Sequence, residues 1–190
     1  DRAWWRRVVV TLVGIGVGLA VFGLVDAYAV PLQWWRDSGV PGWYREQLGL
    51  RYECLSGLPE NWIFNTGDEA NPLRRGVSTF LSPLATSYVL VVVLLLLAAR
   101  RPTRWTVAVG GAAFVGLLVT HTRAALGALV VGLLVLAAAQ RRRLPALLAV
   151  GAAVVGLAAL ALAPHIGPST SYTQAELVCL RRLAEERGGT

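Results

Sequence analysis

The tetrapeptide Thr120-His121-Thr122-Arg123 interrupts an otherwise apolar stretch, residues 105–139. Arginines flank both ends of this stretch: Arg100, Arg101 and Arg104 on one side, and Arg141, Arg142 and Arg143 on the other. Because basic residues mark the cytoplasmic ends of membrane helices, both ends are predicted to lie on the same side of a membrane. A single crossing cannot achieve this. The stretch therefore predicts a hairpin of two membrane helices, with Arg123 at its extracytoplasmic turn.

The composition is that of an integral membrane protein. Of 190 residues, 55% are hydrophobic, and the mean hydropathy is +0.56. The apolar residues form blocks long enough to cross a hydrocarbon core of ~30 Å. The chain is thus predicted to be an all-α polytopic membrane protein. About five transmembrane helices are expected, at residues 8–30, 80–99, 105–122, 123–140 and 144–163.

The charges indicate which segments lie on which side. Residues 1–7, 100–104 and 141–143 are predicted to be cytoplasmic, and carry nine arginines against one acid, a balance of +8. The rest of the chain, which includes the extracytoplasmic loop 31–79 and the start of a second one at 164–190, has nine arginines against ten acids. This asymmetry follows the positive-inside rule, so the net charge of +7 does not predict a nucleic-acid partner.

The ends of the chain also carry information. The first residue is not Met, and a helical pattern is cut off at the last residues, which indicates an internal piece of a longer protein. Within 164–190, an amphipathic helix is predicted from apolar residues on one face and charged pairs four positions apart. Cys54 and Cys179 both fall on the outer side, where disulfides persist. Whether they pair is left open.

Two features of the first span and its following loop have alternative interpretations. Asp26 either reaches the interface or pairs with an outer arginine, or it has a proton or metal role. The tryptophans and tyrosines of 31–79 either anchor the chain at the interface or form a platform that stacks sugar rings. This loop is expected to lack a buried core. In the span itself, Gly14 and Gly18 form a GxxxG that, with Gly16, would let a neighbouring helix approach closely.

Candidate chemistry rests on arginine. No nucleotide-binding loop, zinc motif or nucleophile elbow is present, and with two histidines and two distant cysteines neither a metal nor a cofactor is predicted. Arg75 and Arg123, with Arg74 as a further candidate, are predicted to lie at the outer face. The planar guanidinium fork matches phosphate oxygens, so these residues suit a lipid-linked diphosphate, although interface arginines can also simply anchor helices. No catalytic acid or base is identifiable.

Two segments resemble the O-antigen ligase and polymerase family of bacterial membrane glycosyltransferases. Residues 75–83, RGVSTFLSP, resemble the family's Arg-x-x-[ST]-[ST]-Phe-x-[NS]-Pro segment, and 120–126, THTRAAL, is similar to its Thr-x-Ser-Arg-[GA]-[AS] hairpin. The likeness covers residues 74–164. The chain departs from it at Ser82-Pro83-Leu84, where many members have Asn-Pro-Asn, and the family's outer-loop histidine is not identifiable.

The resemblance implies a multi-pass enzyme of the bacterial cytoplasmic membrane, with the first residues of the chain on the cytoplasmic side. Such an enzyme moves a glycan from an undecaprenyl diphosphate carrier to a glycan or lipid acceptor on the outer side. Its implied partners are the lipid-linked oligosaccharide donor, the acceptor and membrane lipids. Two other functions stay open: a transporter or flippase of lipid-linked sugars, and a non-catalytic scaffold that binds glycans.

Overall fold

A computed structural model describes residues 1–49, 62–64 and 73–168, together with Val178, Cys179, Arg182 and Glu185. The helices are α1 (Arg2–Ala29), α2 (Leu32–Asp37), α3 (Val40–Leu48), α4 (Pro83–Ala98), α5 (Arg104–Val119), α6 (Arg123–Gln140) and α7 (Arg143–Ile166). Two short strands, β1 (Ile63–Phe64) and β2 (Leu73–Arg74), pair antiparallel, and a 3-10 turn spans Ser78–Phe80. The chain is thus mostly helical, as predicted.

Local sequence explains where the central helices begin. Ser82 caps α4 by accepting a hydrogen bond from the Ala85 backbone N–H at 3.4 Å, and Pro83 follows in the first turn, where its missing N–H costs nothing. Thr103 and Thr106 form a capping box at the start of α5. Arg141 adopts a left-handed conformation with φ of 52° between α6 and α7, which allows the chain to reverse within three residues.

The helices pack around a core of small and branched apolar side chains. Helix α4 packs against α1, α5 and α6, while α1 also packs against α5 and α6 against α7. Leu90, Leu117 and Leu129, one from each of α4, α5 and α6, are fully or almost fully buried in this core. The apolar core that these helices share fixes their relative positions.

Glycines allow several close helix contacts, and one of them involves a glycine of the predicted α1 group. A Cβ on Gly16 would lie 2.6 Å from Val93 Cγ2, and one on Gly116 would lie 2.6 Å from Ala20 Cβ. Nothing lies within 4 Å of a Cβ built on Gly14 or Gly18. Of the three α1 glycines expected to admit a neighbouring helix, Gly16 thus does so, whereas Gly14 and Gly18 meet no neighbour among the described residues.

In the part of the chain that the structure describes, three helices are long and apolar enough to cross a membrane: Ala3–Ala29, Arg123–Gln140 and Arg143–His165. Helices α4 and α5 are also apolar but have 16 residues each. Large apolar side chains cover the outside of the bundle, and Leu157 is 70% exposed. Such a continuous apolar exterior is consistent with a membrane protein. The prediction of five spans, with the bounds given above, stays a prediction.

The bundle has two ends with different character. At the hairpin end, defined by Val30, Arg74, Val119 and Pro168, backbone bonds join the Arg74 N–H to the Pro168 carbonyl at 2.9 Å and the Gly76 N–H to the Val119 carbonyl at 2.9 Å. At the arginine end, defined by 99–104 and 140–143, the Gln140 side-chain amide donates to the Ala99 carbonyl at 3.4 Å. The arginines that flank the 105–139 stretch thus lie together, opposite to Arg123.

The segment after α1 has a small core, which the sequence analysis did not predict. Trp62 and Val77 are buried there, and Trp35, Tyr44 and Ile63 pack against them. The Trp62 indole N–H donates to the Leu81 carbonyl at 2.9 Å, which ties this core to the start of α4. The expectation of no core is therefore wrong. Two other tryptophans of this segment, Trp34 and Trp43, are exposed, as interfacial anchoring or sugar stacking would require.

Two sequence-based expectations concern residues that are not fully described. Cys179 is disulfide-bonded, but Cys54, whose pairing with it the sequence left open, lies outside the described residues. Most of the predicted amphipathic helix in 164–190 also lies outside them.

Candidate functional site

The two consecutive arginines at the end of β2 have different surroundings. Arg74 Nη2 lies 2.7 Å from Asp26 Oδ1, and the side chains are only 2% and 4% exposed. Arg74 Nη1 also donates to the Val30 carbonyl at 2.8 Å, and the Trp35 indole N–H donates to the same Asp26 oxygen at 3.1 Å. Of the alternatives for Asp26, the structure shows the pairing with an arginine. In this arrangement the Arg74 guanidinium faces the protein interior and not a ligand.

Arg75 points instead to the turn between α5 and α6. Its Nε–H donates to the Thr120 carbonyl at 2.9 Å, and its Nη2 donates to Thr122 Oγ1 at 2.9 Å. The Arg75 backbone N–H donates to the Trp62 carbonyl at 2.7 Å. Burial lowers the pKa of Arg75, yet a guanidinium stays protonated near neutral pH. Arg75 therefore places a positive charge beside the turn.

Gly76 lets this loop lie against the turn. A Cβ on Gly76 would be 3.1 Å from Val119 Cγ1 and 3.6 Å from the Val119 carbonyl oxygen. A larger residue here would push the loop, and Arg75 with it, away from the end of α5. Close packing of this loop against the end of α5 therefore explains the glycine at position 76.

The turn itself is compact and presents Arg123 at its exit. Thr120 ends α5, with its hydroxyl donating to the Leu117 carbonyl at 2.7 Å, and His121 takes a left-handed conformation with φ of 49°. Arg123 is the first residue of α6 and its side chain is exposed. Among the described residues, its guanidinium has neither an ion pair nor a hydrogen bond. The predicted turn at 120–123 is where the chain reverses.

Phe64 connects the turn to the β-hairpin. Its ring stacks on the His121 imidazole, with centroids 5.2 Å apart and an interplanar angle of 18°. The Arg123 Cζ atom lies 5.6 Å from the centre of the same ring. The attraction of a guanidinium to an aromatic face holds the Arg123 side chain against Phe64. Sequence reasoning missed Phe64, and the only available signal was the short apolar run 62–64 within a polar loop.

His121 is a neutral, buried group in this site. It is 9% exposed, and its Nε2 has no hydrogen-bond partner among the residues that the structure describes. Burial, and then the charge of Arg75, lowers the pKa of His121 to about 4. At neutral pH the imidazole is therefore uncharged, and it adds no repulsion to the neighbouring guanidinium groups.

The site thus joins two arginine side chains at one turn: the half-buried Arg75 of the loop after β2 and the exposed Arg123 of the turn. Within the described part of the chain, no group of three His, Cys, Asp or Glu side chains lies close enough to hold a metal ion. Comparison of the chain with protein families, with curated proteins and with solved structures finds no match. Any functional conclusion therefore depends on the residues themselves.

Proposed function

We propose that this chain is part of a membrane glycosyltransferase that moves a glycan from an undecaprenyl diphosphate carrier to an acceptor hydroxyl. In this proposal Arg75 and Arg123 bind the donor diphosphate. One observation carries the assignment: two hydrogen bonds attach the Arg75 guanidinium to the turn that presents Arg123. Two fixed cations from separate segments therefore belong to one small unit of structure, as recognition of a diphosphate requires.

The exposure of Arg123 supports a ligand-binding role. A guanidinium that is close to an apolar bundle and has no anion beside it among the described residues is costly to hold, unless an external anion neutralises it. A headgroup diphosphate supplies several acceptor oxygens, which suit the planar donor fork. Arg74 is excluded from this role in the proposal because Asp26 already neutralises it.

The proposal places the hairpin end on the outer face of the bacterial cytoplasmic membrane. Five crossings, in which α4 and α5 also span, bring Arg75, Arg123 and the end of α7 to that face. The arginine end is then cytoplasmic, in agreement with the positive-inside rule. The disulfide at Cys179 supports the placement, because disulfides persist in oxidising compartments outside the cytoplasm.

The transfer step would proceed as follows. The acceptor hydroxyl oxygen bonds to the anomeric carbon of the donor sugar, and the bond from that carbon to the phosphate oxygen breaks. The electron pair leaves on the lipid diphosphate, and the hydroxyl proton passes to a general base. Negative charge grows on the leaving diphosphate, where preorganised guanidinium groups stabilise it. One such donor is worth about 3 kcal/mol of barrier, or about a hundredfold in turnover.

Replacement of Arg123 by lysine tests this role, since an ammonium keeps the charge but loses the fork. We expect Arg123→Lys to lower glycan transfer by about a hundredfold in liposomes that contain the protein and a lipid-linked oligosaccharide. Arg45→Lys, on the exposed face of α3, is the matched control and should keep wild-type activity. Wild-type turnover by Arg123→Lys would overturn the assignment.

The same liposomes separate the two alternative functions. New glycosidic bonds indicate a transferase, and movement of the lipid-linked sugar across the bilayer without bond formation indicates a flippase. Binding without either result indicates a scaffold.

A further inference from the structure

A cleft lies at the arginine end of the bundle, which is the end opposite to Arg75 and Arg123. Helices α5 and α7 stand apart there and enclose a cleft of about 390 Å³. Leu129 and Leu133 of α6 and Leu94 and Leu97 of α4 form its floor. This volume is in the range of ligand sites, and the walls are almost wholly apolar.

The dimensions of the cleft match one membrane leaflet. On α7 its lining runs from Leu144 to Val155, which at 1.5 Å per residue is about 16 Å. The hydrocarbon core of a bilayer is ~30 Å thick, so the cleft extends from the arginine end to about the midplane. A single acyl chain of one leaflet is apolar and spans the same half of the hydrocarbon core.

The mouth of the cleft is cationic. Arg100 and Pro102 line it on one side, and Leu144, which directly follows Arg143, lines it on the other. The loops at this end contain Arg100, Arg101, Arg104, Arg141, Arg142 and Arg143 and no acidic residue. Arginines at the mouth of an apolar cleft between membrane helices complement a phosphate headgroup.

We propose that this cleft binds one anionic phospholipid from the leaflet at the arginine end. One acyl chain lies between α5 and α7, and the phosphate lies against Arg100. Moving the acyl chain from the bilayer into the cleft gains no hydrophobic free energy, because both surroundings are apolar. The affinity therefore comes from van der Waals packing in the cleft and from the attraction between Arg100 and the phosphate. This site is independent of the proposed donor site, and either one can fail without the other.

Glycines make the proposal testable, because they allow the cleft to be filled. Gly111 and Gly151 line it from opposite helices, and a Cβ built on either meets nothing within 4 Å. The double variant Gly111→Leu/Gly151→Leu therefore fills the cleft without a steric clash at Cβ. Gly127 of α6 is also open to space but does not line the cleft, so Gly127→Leu is the matched control.

Native mass spectrometry of the purified protein, with phosphatidylglycerol or phosphatidylcholine of the same chains added to the detergent, measures the bound lipid. We expect the wild type and Gly127→Leu to retain one phosphatidylglycerol in preference to phosphatidylcholine. The filled variant should bind at least tenfold more weakly. Arg100→Gln, which leaves the helix packing intact, should weaken phosphatidylglycerol binding about fivefold and phosphatidylcholine binding little.

Three results would overturn the proposal. Unchanged retention of phosphatidylglycerol by the filled variant would place the lipid elsewhere. Equal binding of both lipids by the wild type, with no effect of Arg100→Gln, would exclude headgroup recognition. A second copy of the chain, bound by the wild type and released by the filled variant, would show that protein and not lipid occupies the cleft. If the filled variant does not fold, the binding of phosphatidylglycerol and phosphatidylcholine by Arg100→Gln tests the proposal by itself. An Arg100→Gln variant with wild-type preference for phosphatidylglycerol would then overturn it.

Discussion

Asp26 and Arg74 form a buried ion pair, and the pair makes a quantitative prediction. The charged atoms are 2.7 Å apart, the side chains are 4% and 2% exposed, and Trp35 and the Val30 carbonyl add two further hydrogen bonds. Removing one partner of such a pair leaves the other charge buried without compensation, which costs about 3 to 5 kcal/mol. Asp26→Asn is therefore expected to lower the free energy of unfolding by this amount.

Replacing both partners should have a much smaller effect. In Asp26→Val/Arg74→Met no charge remains buried, and the two apolar side chains together occupy a volume close to that of the pair they replace. Such replacements of buried ion pairs are often neutral or stabilising. The double variant should therefore be more stable than either single variant, which distinguishes a buried pair from two independent contributions.

Thermal unfolding of the purified protein in detergent measures both effects. For a chain of this size, 1 kcal/mol corresponds to about 2 to 4 °C in Tm, so Asp26→Asn should melt roughly 10 °C below the wild type. Asp37→Asn, an exposed carboxylate that bonds only to Gln33 among the described residues, is the control and should change Tm little. A Tm of Asp26→Asn within about 1 °C of the wild type would refute this reasoning, as would a double variant no more stable than the singles.

Three further predictions concern the turn. Arg75→Gln should abolish most glycan transfer per folded molecule but leave the yield of folded protein unchanged. Arg74→Gln should instead mainly reduce the yield of folded protein, which a size-exclusion profile measures. Phe64→Leu removes the ring beside Arg123, so donor affinity should fall about fivefold, as for the loss of about 1 kcal/mol of cation–π attraction, while Phe64→Tyr should bind normally in a titration. The native state excludes the proton of His121, whose pKa is lowered to about 4, while the unfolded chain binds it from pH 6.5 downwards. Stability should therefore fall as the pH falls from 6.5 to 4, and a Tm series over that window should show a smaller fall for His121→Gln; equal slopes would contradict the assignment.

Much of the helical organisation could be predicted from the sequence because its causes are local. Apolar blocks between arginine clusters predicted helices at 123–140 and 144–163, and the structure has Arg123–Gln140 and Arg143–Ile166. The reversal between α5 and α6 also falls at the tetrapeptide that interrupts the apolar run. Hydrophobicity, charge and helix length all act over neighbouring residues, so a sequence pattern is sufficient for these features. It was less informative for close packing, where Gly16 and not the GxxxG pair meets its neighbour.

The tertiary structure alone decided what each arginine of the candidate site contacts. Arg74 and Arg75 are adjacent and chemically identical, and both precede the same helix. Arg74 meets Asp26, 48 positions earlier in the chain, while Arg75 meets the turn about 45 positions later. Phe64 joins this site only because β1 pairs with β2. Such partners are set by long-range packing at the hairpin end of the bundle, and no local pattern of residue types contains that information.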